Sequence, residues 1–313
     1  MTLILTAIIP GHVVQVSDRL VTTTHKAVVD QRANKVLLYR ADDAIAVLGY
    51  TGLAFLGDRP TDEWIAERLW GEPLVVVDGS AMAITTQRES SQPRELGPAL
   101  KSLRDDLQAF VRRLSIPEQN APLQINVAGW RSGRRWIKPV FFSIQKQPGS
   151  SSHLSFDWLT HSRFRQNSHI LTDTGGWLGR SGGGQLLHVL SKCADADSAI
   201  NTLADAIRAI SRSNKQVGPD LMAIHLPARE QDPCRVRFLP SQIHVVPDRD
   251  GQTVPVYFTP WIAGLTMLFG PSATRAKDFK VTTGGRTIAI DSPEDGMSSS
   301  LVLHAQKRPE KPK

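Results

Sequence analysis

The chain has 313 residues, 41% hydrophobic and 21% charged, with a formal net charge of +7 and two cysteines, Cys193 and Cys234. This ordinary globular composition excludes a disulfide framework and a four-cysteine metal site. No run approaches the roughly twenty apolar residues of a membrane helix, and the apolar start from Leu3 to Pro10 lacks the basic leading region of a signal peptide, so a cytoplasmic protein without a membrane partner is expected.

In chain order, residues 2–9 are apolar and β-branched, Pro10-Gly11-His12 is turn chemistry, and Val13 to Ser17 forms a second strand. Residues 35–40 and 44–49 repeat this hairpin around Ala41-Asp42-Asp43. Both hairpins are apolar at nearly every position, as in strands covered on both faces. A helix follows, with Thr61 as cap, Asp62 and Glu63 in its first turn and Gly71 at its end. Val75-Val76-Val77 and Met82-Ala83-Ile84 fit short strands. Leu96, Leu100, Leu103, Leu107, Phe110, Val111 and Leu114 recur at helical spacing.

Leu123 to Trp130 and Trp136 to Ile144 read as a third hairpin, and His169 to Thr172 as a strand leading into glycine-rich turns. Gln185 to Lys192 is a short helix. The stripe Ala199, Ile200, Leu203, Ala206, Ile207 and Ile210 is a longer one, capped by Asp195 or Asp197, and Leu221 to Leu226 is a strand. After Pro227 the chain holds short β-like runs: Arg235–Leu239, Val254–Thr259, Leu265–Phe269, Lys280–Thr283, Thr287–Ile290 and Leu301–His304. Lys307 to Lys313 is charged, Pro-rich and expected to be disordered.

Stacked antiparallel hairpins gather the start of strand one, the end of strand two, the start of strand three and the end of strand four at one edge. Thr2, Asp18, Lys35 and Gly49 occupy those places. Removal of Met1 makes Thr2 an N-terminal threonine, with nucleophilic hydroxyl and potential base, its α-amine, on one residue.

This pattern resembles the N-terminal-nucleophile (Ntn) hydrolases of the proteasome β-subunit superfamily, and within it the bacterial proteasome-like peptidases of the Anbu type. By element order the resemblance covers residues 2–226, and its specific motifs lie within residues 2–54. The step from Thr2 to Asp18 matches the family; that to Lys35 is one residue longer. The resemblance implies an α+β fold, a four-layer αββα Ntn-hydrolase sandwich over 2–226, followed by a β-rich C-terminal extension over 227–305 and a tail over 306–313. It implies Thr2 as nucleophile, Lys35 as the charge favouring the alkoxide, Asp18 as its anchor and the Gly49 N–H as oxyanion donor. Ser181 is the implied serine of the glycine-rich turn, with Thr174 as the other candidate. Arg19, Thr22, Val47 and Thr51 are implied at the substrate site, Val47 lining an apolar pocket. Two positions depart: where the family places Asp-x-x-Ser-Gly, this chain reads Asn214 to Gly218, with Asn214 for the carboxylate and Val217 for the hydroxyl.

The expected activity is hydrolysis of peptide amide bonds in a peptide or unfolded-protein substrate, by a homo-oligomer arranged as a ring or helical stack, with no cofactor and no metal. Whether an ATPase partner exists stays open. Two other readings remain: a non-catalytic assembly or binding protein of the same fold, and an Ntn amidase acting on a non-peptide amide. Trp130, Arg131, Arg134, Arg135, Trp136 and Lys138 interleave aromatics with cations, a pattern that suits nucleic acid. It is read instead as a hairpin tip packed over its own aromatics, because no nucleic-acid fold signature accompanies it.

Overall fold

The computed structural model describes residues 2–22, 27–72, 76–77, 80–81, 83–85, 94–133, 136–146, 154–158, 164–166, 168–174, 176, 179–241, 245–247, 253–255, 257–264, 267–270, 273–274, 279–283 and 285–291. Met1, Arg134, Arg135, the run Leu301–His304 and the tail after residue 306 lie outside the described residues.

The first hairpin is β1 (Ile4–Ile9) and β2 (His12–Asp18). Two short strands, β3 (Val21–Thr22) and β4 (Val28–Asp30), pair with each other. The second hairpin is β5 (Val36–Arg40) and β6 (Ala44–Gly52). Two eight-stranded sheets grow from these hairpins. In the first, β1 is flanked by His169–Asp173 and Phe164–Gln166. On the other side β2 is followed by Leu221–Pro227, Cys234–Leu239, Arg286–Asp291 and Phe279–Thr283. In the second, β6 pairs with the long hairpin Leu123–Gly133 and Trp136–Lys146, and then comes Leu154–Trp158. On the other side β5 is followed by Ile262–Gly264, Met267–Gly270 and Ala83–Thr85.

Strands from the region after Pro227 thus join both sheets. Two of these joins are parallel: Ile262–Gly264 on β5, and Arg286–Asp291 on Cys234–Leu239. A parallel join needs a long crossover, so neither partner is close in sequence.

There are five helices among the described residues: α1 (Thr61–Trp70), α2 (Leu96–Val111), α3 (Ile116–Asn120), α4 (Gly179–Leu190) and α5 (Ala196–Ser213). Side-chain alternation sorts the strand residues into three apolar clusters. Ile4, Ile8 and Val13 pack with Val36, Leu38, Ile45 and Val47 between the sheets. Leu37, Tyr39, Ala46 and Leu48 pack with α1 and α2 residues such as Trp64, Leu69, Leu100 and Leu107. Leu3, Leu5, Val14 and Val16 pack with Leu187, Leu190, Ile200, Leu203 and Ile207 of α4 and α5. Each fully buried leucine or isoleucine contributes about 1.5–3 kcal/mol, so both sheet faces are held by substantial cores.

Several helix boundaries differ from the sequence reading. Pro60, not Thr61, precedes α1, and the Thr61 hydroxyl donates to the Leu53 carbonyl at 2.8 Å. Proline presets the backbone for helix entry. α4 starts at Gly179 and runs through Gly182-Gly183-Gly184, because Leu187 and Leu190 bury its far end. Asp195 caps α5, accepting the Ser198 N–H at 2.7 Å.

In the first turn of α1, Asp62 is 9% exposed. Burial raises its pKa from 3.8 to about 7, against the hydrogen bond from the Glu63 N–H that favours the charged form. The folded state therefore binds more protons than the unfolded chain between these values, and the resulting stability is lost as pH rises through about 7. Asp62→Asn keeps an acceptor for that N–H and removes the buried charge. It is expected to stabilise the protein at pH 8 by on the order of 2–4 kcal/mol and to flatten the pH dependence of urea unfolding between pH 4 and 8. A variant less stable than the native protein at pH 8 would contradict this.

Candidate active site

The ladder of β1 and β2 pairs Ile4 with Ser17, so one step further out Leu3 lies opposite Asp18. Two bonds close that step. The Asp18 N–H donates to the Leu3 carbonyl at 3.1 Å, and the Leu3 N–H donates to Asp18 Oδ1 at 2.8 Å. Asp18 Oδ2 takes three further donors: Lys35 Nζ at 2.9 Å, and the N–H groups of Leu20 and Gly218, each at 3.2 Å. Lys35 Nζ also donates to the Leu20 carbonyl. The side chains of Lys35 and Asp18 are 2% and 0% exposed. Burial pulls the Lys35 pKa below its usual value, and the Asp18 charge and hydrogen bond pull it back up.

Thr2, next to Leu3 in the chain, is buried. Thr51 Oγ1 donates to the Thr2 carbonyl at 3.1 Å and lies 3.3 Å from the Thr2 nitrogen, from which it accepts. Thr174, one residue past the His169–Asp173 strand, also reaches Thr2. Its hydroxyl accepts the Ile4 N–H at 3.0 Å and donates to the Thr2 carbonyl at 3.4 Å. Thr174, one of the two residues considered for the glycine-rich turn, is thus bonded to Thr2. Ser181 falls in the first turn of α4.

The other expected site residues are placed differently. Arg19 is 2% exposed; its guanidinium donates to the Arg32 carbonyl and lies 5.1 Å from the Phe238 ring centroid. Burial brings its pKa down to about 10, opposed by the charges of Asp30 and Asp220. This internal cation is a poor fit to the substrate contact expected of it. Val47 is fully buried between the sheets, opposite Leu38 and Ala128, so it fills core rather than an open pocket. Thr22 is half-buried at the end of β3. The Thr51 hydroxyl is spent on Thr2 itself.

Gly49 lies opposite Val36 and Asn126. An added Cβ would stand 2.7 Å from Gln15 Oε1 and 2.9 Å from Ile4 Cδ1, so a side chain there would have to displace the ends of both. The Tyr50 N–H donates to the Lys35 carbonyl. Alternation then directs the Gly49 N–H the other way, toward Asn126, which is at odds with an oxyanion role.

Asn214 closes α5, and its side-chain oxygen accepts the Gln216 N–H at 2.9 Å. Val217 is buried in the apolar cluster under α5. The turn therefore spends Asn214 on its own backbone, and only its Gly218 N–H reaches the Asp18 carboxylate. A cleft of about 250 Å³, lined by Leu20, Val28, Gln31, Gly218, Pro219, Asp220 and Ser241, adjoins this edge.

Two further features lie away from Thr2. At the basic hairpin, Trp130 is 7% exposed and donates to the Leu226 carbonyl, while Arg131 pairs with Asp43 and Glu95. Both are committed to the protein itself. His12 and His225, which no spacing connects, meet with Nδ1 and Nε2 2.9 Å apart. Burial and the neighbouring His12 bring the His225 pKa down to about 4. Among the described residues no group of three or more histidine, cysteine or acidic side chains could hold a metal ion, and no helix is long and apolar enough to cross a membrane.

Solved structures similar to this chain include an Anbu and an HslV. The first is an Anbu (Gly-1) mutant from Hyphomicrobium sp. strain MC1, with a TM-score of 0.49 and 13% identity, covering 77% of this chain and 88% of that one. The second is a eukaryotic HslV from Trypanosoma brucei, with a TM-score of 0.38 and 15% identity, covering 72% of this chain and 99% of that one. No family model matches the chain, and no curated protein matches it.

Proposed function

We propose that the chain is a proteasome-like threonine hydrolase that cleaves peptide amide bonds after loss of Met1, on an αββα Ntn-hydrolase core over residues 2–226 with a β-rich extension over 227–305. One observation carries this reading: a single buried carboxylate, Asp18, holds both the Leu3 N–H next to Thr2 and the Lys35 ammonium. A buried ion pair is costly to desolvate, and an apolar pair of similar volume is often as stable or more so, so its place near the threonine that loss of Met1 would expose favours a catalytic use.

In the proposed reaction Thr2 Oγ attacks the scissile carbonyl, and the freed α-amine of Thr2 takes its proton. The amine then returns the proton to the leaving nitrogen as the C–N bond breaks, leaving an ester on Thr2. Water, deprotonated by the same amine, hydrolyses that ester. Lys35 supplies positive charge that favours the alkoxide and the neutral amine, and Asp18 fixes Lys35. The proposal assigns no oxyanion role to Gly49. A homo-oligomer, as a ring or helical stack, and a peptide or unfolded-protein substrate complete the reading.

The test is intact mass before and after treatment with a peptide epoxyketone, which captures an N-terminal threonine through hydroxyl and amine together. Loss of Met1 and one adduct, absent from Thr2→Ala, is the expected result. Retained Met1 without an adduct overturns the hydrolase and favours a non-catalytic assembly protein, a reading that Asn214 and Val217 support. An adduct without cleavage of any peptide in a library favours the amidase.

A further inference from the structure

We infer that Thr51 is a positioning residue for the Thr2 α-amine, a role resting on the proposed hydrolase reading and distinct from the substrate contact expected of Thr51. Its side chain is held near the end of β6, opposite Gln124, and is 6% exposed. A hydroxyl has one hydrogen and two lone pairs. Its hydrogen goes to the Thr2 carbonyl at 3.1 Å, so toward the Thr2 nitrogen at 3.3 Å it can only accept. With Met1 present the donor is the peptide N–H. Hydrolysis of the Met1–Thr2 bond leaves an amine at the same atom, facing the same acceptor.

Fixing one N–H of that amine limits where its lone pair points, and the lone pair is the base. The clamp is rigid for two reasons. Threonine is β-branched and stiff at χ1. Thr174 supplies a second donor to the same Thr2 carbonyl, so the residue is gripped from the end of β6 in one sheet and from the residue after the His169–Asp173 strand of the other. The turn after α5 sends no comparable group: Asn214 is bound to Gln216, and Val217 is apolar. Thr51 therefore takes over the orientation of the amine from the end of β6.

The experiment compares wild type, Thr51→Val and Thr51→Ser as full-length proteins, with the epoxyketone as probe. Adduct formation is followed by intact mass against probe concentration and pH. Thr51→Val keeps the shape and removes both bonds. It is expected to lower the maximal labelling rate about tenfold to a hundredfold, as misplacement of a catalytic group does, with the half-saturating concentration unchanged. An acceptor toward the amine favours its ammonium form, so the acid limb of the rate should also move to lower pH. Thr51→Ser restores both bonds and should recover the wild-type limb and most of the rate.

Labelling of Thr51→Val at the wild-type rate and pH profile overturns the inference and leaves the hydrolase standing. Equal slowing in the valine and serine variants assigns Thr51 a packing role and also overturns it. A wild type that loses Met1 and is never labelled overturns both.

Discussion

Asp18→Ala is expected to lose more than about 5 kcal/mol of stability, together with all epoxyketone labelling of Thr2. The Asp18 carboxylate accepts from Leu3, Leu20, Gly218 and Lys35. Among the described residues, alanine leaves the buried Lys35 ammonium hydrogen-bonded to the Leu20 carbonyl without its carboxylate partner, and breaking such a buried pair costs about 3–5 kcal/mol. It also orphans three backbone N–H groups, at about 1–3 kcal/mol each where water cannot replace the acceptor. The sum rivals the 5–15 kcal/mol that holds a typical domain folded.

Lys35→Met is expected to cost less, about 3 kcal/mol, because the carboxylate keeps its three N–H donors and methionine fills the lysine's volume. Guanidinium unfolding of the two variants checks the order, and a larger loss in Lys35→Met would contradict it. The pH dependence gives a second check. Burial lowers the folded-state pKa of Lys35 below 10.5, so the unfolded chain binds more protons between the lowered value and 10.5. Stability should rise with pH through that window, and Lys35→Met should remove that rise.

The Asp18–Lys35 pair was legible in the sequence because period-two strands joined by short turns leave little freedom in where their ends fall. Thr2, Asp18 and Lys35 follow from the hairpins alone. What the sequence left unread depends on contacts between elements. Thr51 reaches Thr2 from the other sheet, 49 positions away, and no local pattern encodes that approach. The three glycines from 182 to 184 read as a turn, yet tertiary burial of Leu187 and Leu190 outweighs their poor propensity and draws them into α4. The parallel joins of the C-terminal strands to β5 and to Cys234–Leu239 are non-local pairings that alternation cannot assign to a partner. Arg19 was implied at the substrate site by the family resemblance, but the Phe238 ring and the Arg32 carbonyl give its charge an internal place.

Gly52→Ala should be nearly as severe as Asp18→Ala, and for a reason that ties the fold to the site. Gly52 has φ +103°, a region a side chain strongly disfavours. Its added Cβ would stand 1.8 Å from the Pro122 carbonyl oxygen and 3.0 Å from Leu123 Cα. Those atoms are backbone at the start of a strand, so they can yield only by breaking the pairing of Gly52 with Leu123 that opens the ladder. Strain of about 1–3 kcal/mol plus overpacking of about 1–3 kcal/mol gives an expected loss of about 3–5 kcal/mol. Gly97→Ala is the control: it lies in α2, with nothing within 4 Å of its added Cβ, and should gain up to about 1 kcal/mol from helix propensity. Because Gly52 follows Thr51 directly, relief of the clash must also displace the hydroxyl that holds Thr2. The folded fraction of Gly52→Ala should therefore label more slowly than wild type, with the rate normalised to folded protein by denaturation curves. A Gly52→Ala protein as stable as Gly97→Ala would contradict the stability argument, and wild-type labelling by its folded fraction would contradict the coupling of strand end to nucleophile.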